Sequence, residues 1–191
     1  MPAAPGSTGR PRSDAQRNRE KLLTAARETI AAADGPIALE AVARRAGVGI
    51  GTLYRHFPSR EELIEAVYAA ELDDLATSAT TLLAELPPEL ALRQWMNRYA
   101  AFSTTKRGML DTLRSSIAAG RIAPRTRELI TAAFAAILEA GARAGTLRDD
   151  IHPDDATMML HGIFLTTGTG DVPGQTDRLL DLMADALATR R

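Results

Sequence analysis

The stretch from residue 37 to residue 57 restricts what this chain can fold into more than any other. Ala41, Val42 and Ala46 give its first segment an apolar stripe at helical spacing. Gly47 follows at once, where a helix end takes a residue that tolerates positive φ. Val48 supplies an apolar plug, and Leu53 and Phe57 recur four apart on the inner side of a second short segment. Ile50, Gly51, Thr52, Tyr54, Arg55 and His56 are left pointing largely outward. A helix, a tight turn and a second short helix make a helix-turn-helix, whose second helix enters the DNA major groove.

Three runs sharpen this reading: Val42-Ala43-Arg44-Arg45-Ala46-Gly47-Val48, then Gly51-Thr52-Leu53-Tyr54-Arg55-His56-Phe57, then Ser59-Arg60-Glu61-Glu62-Leu63. Together they resemble the DNA-binding region of the TetR family of bacterial transcriptional regulators. The resemblance covers roughly residues 15–70, and beyond them only the all-helical layout is similar. It implies that Tyr54 and His56 reach phosphates from the recognition helix and Arg60 from the start of the next. Thr52 then meets a phosphate or a base edge. Ile50 and Gly51 lie over the groove floor with no hydrogen-bonding side chain. Reading there falls to thymine-methyl contact and DNA shape, with Arg55 or Arg44 as the polar readers. The structural alternatives are a packing role for Tyr54 and a helix-end role for His56.

Charge distribution agrees with a nucleic-acid-binding head. Residues 1–60 hold ten basic and five acidic side chains, net +5, whereas residues 61–191 are net −6. A basic head on an acidic body leaves the whole chain at −1, so the total alone carries no information. Cysteine is absent, which removes disulfides, thiol catalysis and thiolate metal sites. No apolar run approaches the ~18 residues of a membrane span. The first residues lack the apolar core of a signal peptide, so a cytoplasmic location is expected.

In chain order, residues 1–12 read as a disordered basic tail, residues 13–60 as the DNA-binding domain and residues 61–191 as an effector-binding and dimerisation domain. Ser13 to Gln16 forms a plausible capping box for a first helix, which packs across the helix-turn-helix and brings Arg17 near the DNA backbone. Position 38 is alanine, so the second helix starts without a side-chain cap, a deficit of about 1 kcal/mol. Ser59 to Glu62 is a second capping box opening a long helix that Pro87 and Pro88 stop. Further helices follow through Leu92–Phe102, through 110–117, from Ala123 to about Gly145, after Pro153, and through 175–189. No strand pattern appears. The fold class is all-α, about nine helices.

The resemblance also implies what the body does. The last two long helices, near 153–166 and 175–189, pair with their copies in a four-helix bundle. Ala156 and Gly162 would allow close approach there, with Met159, Ile163, Leu180, Met183 and Leu187 as apolar contacts. A ligand cavity lies among the middle helices, with Trp95, Tyr99, Phe102, Met109, Leu113, Phe134, Met158, His161 and Phe164 as candidate lining. For each of these residues, plain core packing is the competing reading.

The three histidines, His56, His152 and His161, share no metal-ligand spacing, and no glycine-rich phosphate loop follows a strand. An enzyme and a bound cofactor are therefore not expected. The reading is a homodimeric repressor that binds a pseudo-palindromic operator in double-stranded DNA and is released by a small molecule. The alternative is a helical dimeric small-molecule or protein-binding module with incidental DNA affinity.

Overall fold

Proline and glycine punctuate the helical periodicity into eight α-helices among the described residues. They run α1 (Arg10–Ala32), α2 (Leu39–Arg45), α3 (Ile50–His56), α4 (Arg60–Glu85), α5 (Pro88–Ala118), α6 (Ala123–Ala144), α7 (Pro153–Thr166) and α8 (Gln175–Leu187). The structure, a computed structural model, describes residues 10–32, 37–119, 122–167 and 172–189. Its only strand-like pairing among these residues is an isolated bridge between Leu147 and Ala188. No described helix is long and apolar enough to cross a membrane.

The chain divides into two compact units. The first takes the residues up to Tyr68 together with Gly108–Leu113; the second takes Ala69–Arg107 and Arg114–Arg191. The first unit therefore reaches two turns further into α4 than residue 60. Its core is Leu22, Ala26, Val42, Leu53, Phe57, Leu63 and Val67, all buried. Helix α4 is common to both units, and at 1.5 Å per residue its 26 residues span roughly 40 Å.

The α4 start follows its capping box: the Glu62 amide donates to the Ser59 hydroxyl at 3.1 Å. The α2 start lacks one, with Ala38 extended and making no side-chain cap. Two expectations fail. Ser13 does not cap α1, because the helix already runs from Arg10; most of the tail expected over residues 1–12 lies outside the described residues, as do residues 33–36. The segments expected as separate helices around 92–102 and 110–117 are one 31-residue helix, α5. Nothing between them breaks a helix. A lone Gly108 costs only about 1 kcal/mol, and the Thr104 and Thr105 hydroxyls donate back to the Ala100 and Ala101 carbonyls at 3.1 and 3.2 Å.

The second unit is built around Trp95. Its indole N–H donates to the Leu75 carbonyl at 3.0 Å, so α5 meets α4 with the one polar atom of that side chain satisfied. Its ring meets Phe134 of α6 edge-on at 5.0 Å. Helix α8 is held by ion pairs from Arg93 to Asp181 at 2.6 Å and to Asp177 at 3.9 Å. Its end is tied to the α6–α7 connection: the Arg148 amide donates to the Leu187 carbonyl at 2.9 Å and the Thr189 amide to the Thr146 carbonyl at 3.1 Å.

Candidate nucleic-acid interface

The turn between α2 and α3 fixes how α3 is presented. Gly47 has φ +69°. Its amide donates to the Arg44 carbonyl at 3.1 Å, and the Val48 amide reaches the Ala43 carbonyl at 3.0 Å. This pair of bonds is a Schellman cap, and the left-handed residue it needs is the glycine. Gly49 then caps α3, its carbonyl accepting from the Thr52 and Leu53 amides at 2.9 and 3.2 Å. Leu53 and Phe57 fill the core at 0% and 1% exposure. The outer face that results carries Ile50, Gly51, Tyr54 and Arg55, all exposed. Two of these are large apolar or aromatic side chains, Ile50 at 39% and Tyr54 at 46% exposure.

The remaining candidates surround that face. Thr52 and His56 are half-buried, and Arg44 is exposed at the end of α2. Its neighbour Arg45 is committed elsewhere, donating to Glu28 of α1 at 2.5 Å. Arg17 of α1 is exposed and ion-paired with Asp14 one turn away. Arg60, the first residue of α4, is half-buried, and its Nε is a buried donor with no hydrogen-bond partner. Leaving such a donor unmet costs on the order of 1–3 kcal/mol, which an arriving phosphate oxygen would offset. The sequence reading passed over Arg19. Its guanidinium lies 4.5 Å from the centre of the Phe57 ring, a cation–π contact that ties α1 to the end of α3. Arg19 and His56 also line the same surface depression. The available signal was spacing, since Arg19 sits one turn before the buried Leu22.

Two family descriptions match the chain. "Bacterial regulatory proteins, tetR family" matches residues 22–67, and "Transcriptional regulator SbtR-like, C-terminal domain" matches residues 87–189, more than half of the chain. The crystal structure of a TetR transcriptional regulator from Streptomyces coelicolor is 45% identical, covers 91% of this chain and 99% of that one, and superposes with a TM-score of 0.79. The chain belongs to the TetR family of bacterial transcriptional regulators. A second TetR regulator structure, from Mycobacterium vanbaalenii, is 31% identical over 93% of this chain and 99% of its own, with a TM-score of 0.73. Among curated proteins, the HTH-type transcriptional repressor KstR of Mycolicibacterium smegmatis is 38% identical over 79 residues. That match spans 39% of this chain and 39% of the repressor, so the chain aligns with under half of the length of such relatives.

In this TetR body, Trp95, Tyr99, Phe102, Phe134, His161 and Phe164 come together. Tyr99 is the hub, 5.2 Å from Phe164, 5.9 Å from His161 and about 6.1 Å from both Trp95 and Phe102 between ring centres. Met109 and Leu113 are buried but group with the first unit. Met158 does not line an interior: it is 55% exposed, because α7 turns Ala156, Thr157 and Leu160 inward instead.

The expected dimer contacts need a larger correction. Ala156, Leu180, Met183 and Leu187 are at most 2% exposed and fill the chain's own core. Met159 is 48% exposed, and Gly162 and Ile163 are half-buried. The apolar side chains these helices leave outside are Met158, Met159, Leu165 and Leu182, the last two at 81% and 65% exposure. A side chain added at Gly162 would meet nothing within 4 Å. Among the described residues no group of three or more histidine or carboxylate side chains is gathered as a metal site.

Proposed function

We propose that the chain is a homodimeric repressor that binds a pseudo-palindromic operator and leaves it when a small molecule enters the body. The observation that carries this is the outer face of α3. A capped turn presents Ile50, Gly51, Tyr54 and Arg55 to solvent, and neither the Arg55 nor the Arg44 side chain has an intramolecular partner among the described residues. Tyr54 and Arg60 contact phosphates on either side of the groove, with His56 and Thr52 behind them and Arg17 following after exchange from Asp14. Ile50 reads thymine methyls. Repression follows the sense of the curated relatives' names.

One head reads a half-site, and two heads on successive major-groove faces need a dimer. The exposed apolar side chains of α7 and α8 suit that pairing, and Gly162 supports close approach of the helices. Helix α4 belongs to both units, so a ligand that favours one placement of it shifts the spacing of the heads. Equal affinity for both placements would shift nothing. The proposed protein acts in the cytoplasm, without a cofactor and without catalysis.

The test is selection of the purified chain against a random double-stranded DNA library at physiological salt. The expected result is an enriched pseudo-palindrome with half-sites about one helical turn or more apart. Tyr54→Phe and Arg60→Ala should then weaken binding across all sequences without changing oligomeric state, as loss of phosphate contacts does. A folded dimer that enriches nothing would refute the operator reading and leave a body whose role is to bind a small molecule or protein.

A further inference from the structure

One edge of α1 borders α3 and is left open to solvent. Ala15, Gln16, Arg19, Glu20 and Leu23 follow one another along it at helical spacing, and with His56 of α3 they line a surface depression of about 590 Å³. Arg19 is exposed and His56 half-buried. The Arg19 guanidinium is held by Phe57, whose ring centre is 4.5 Å away. A ring offers no lone pair to the guanidinium N–H donors, and Arg19 makes no hydrogen bond or ion pair among the described residues. His56 likewise has only its contact with the Phe57 ring, 6.4 Å between centres. The one carboxylate among these lining residues is Glu20, which accepts from the Gln16 amide at 3.3 Å.

The depression lies on a flank of the reading helix. Ile50, Gly51, Tyr54 and Arg55 are the exposed outer face of α3, and Leu53 and Phe57 are the buried one. At about 100° per residue, Thr52 and His56 fall together on an edge between the two. A helix with its side chains is roughly 10–12 Å across and fills a major groove roughly 12 Å wide, so the DNA strands run along its edges. Docking α3 by its outer face therefore sets the edge of Thr52 and His56, with Arg19 beside it, against one sugar–phosphate strand.

We infer that Arg19 and His56 form a phosphate site for operator DNA on the α1 side of α3, with Arg19 as its charge. This rests on the reading of the head as operator-binding and adds a contact to those of Tyr54 and Arg60. A phosphodiester oxygen gains charge-assisted hydrogen bonds from the guanidinium and a further one from the imidazole. The Phe57 ring holds the guanidinium before DNA arrives, which lowers the ordering cost of the contact. Phe57 is also the residue that closes α3, so a phosphate held by Arg19 is registered to the reading helix and not to α1 alone. Glu20 stands at the same rim and opposes the phosphate charge.

Fluorescence anisotropy of the full chain on the selected operator and on an unrelated duplex, each over a range of potassium chloride concentrations, tests this. Each phosphate neutralised contributes about −0.9 to the slope of log affinity against log salt. The expected result for Arg19→Gln is roughly tenfold weaker binding to both duplexes and a slope shallower by about 0.9. Arg19→Lys should keep the wild-type slope. A merely structural role, exerted through Phe57, would weaken binding and leave the slope alone. An unchanged slope in folded Arg19→Gln therefore overturns the inference, and so does a slope lost equally in Arg19→Lys. If Arg19→Gln does not fold, Glu20→Gln at an exposed position decides. Removing that carboxylate should tighten binding roughly threefold more than Glu85→Gln, an equal charge change at the exposed end of α4. Equal effects of the two refute the site. An enriched operator with an unchanged Arg19→Gln slope sinks only the phosphate site. A shallower slope on the unrelated duplex with no operator enriched keeps the contact and sinks sequence-specific regulation.

Discussion

Gly47 and Gly51 lie four residues apart in the head, and replacing each with alanine should move its stability in opposite directions. At Gly47 an added Cβ meets nothing within 4 Å, so no clash enters the account. The backbone does, because φ is +69°. An L-residue with a side chain held in the left-handed region is about 1–2 kcal/mol worse than glycine, and loss of unfolded-chain freedom offsets roughly 0.4–1 kcal/mol of that. Gly47→Ala should therefore destabilise the head by about 1 kcal/mol. Gly51 also has open space around its Cβ position and is not among the glycines with positive φ. Its replacement keeps the entropy gain and stabilises α3 by roughly 0.5 kcal/mol. The lone tryptophan, Trp95, reports on the other unit, so native-state hydrogen exchange is the suitable assay. The Leu53 and Phe57 amides, bonded to the Gly49 and Leu53 carbonyls, are the reporters. Their protection should fall roughly fivefold in Gly47→Ala and rise about twofold in Gly51→Ala. Equal or greater protection in Gly47→Ala would show that this turn is not set by a left-handed residue, and the presentation of α3 would need another explanation.

Three further outcomes follow from the second unit. Leu182→Glu, at a side chain 65% exposed, should leave the monomer fold intact and weaken self-association at least tenfold in sedimentation velocity; an unchanged dimer would move the interface off this face. A Cβ at Gly141 would stand 2.4 Å from two atoms of the buried Leu147 side chain, so Gly141→Ala should lower stability by about 1–3 kcal/mol in urea unfolding followed through Trp95. Adding Leu147→Ala should then cost less than it does in the wild type; simple additivity would contradict the overlap. His161 is held below its ordinary 6.5 by burial and by Lys106 and Arg127. The unfolded chain therefore takes up a proton before the folded one does, and stability falls as pH drops below about 7 until the folded value is passed. His161→Gln should flatten that part of the urea midpoint against pH, and an unchanged slope would show that the proton is taken up elsewhere.

The head was legible from sequence because its punctuation is chemically specific. A left-handed position selects glycine at 47, and the 53/57 spacing selects the buried face of α3. A hydroxyl at 59 caps the next helix where the capping-box pattern places it. Each is a local rule with few competing solutions. Arg19 escaped because its partner Phe57 is 38 residues away, and no local pattern announces a cation stacked on a ring that distant. Ser13 misled for the opposite reason: a hydroxyl at a helix start and one inside a first turn look alike when the preceding arginines also favour helix.

The body was misread where a helix has more than one apolar face. On α8, Leu180, Met183 and Leu187 make one stripe and Leu179, Leu182 and Ala186 another, and periodicity does not say which of them meets its own chain. The choice is made by long-range contacts: Arg93 draws Asp177 and Asp181 toward α5, and the Leu187 carbonyl is claimed by the Arg148 amide. With that rotation fixed, Leu180, Met183 and Leu187 turn inward and Leu182 is left exposed. The same physics explains the false break in α5. The polar run from Ser103 to Arg107, followed by Gly108, interrupts the apolar pattern and reads as the end of a helix, whereas α5 continues through it.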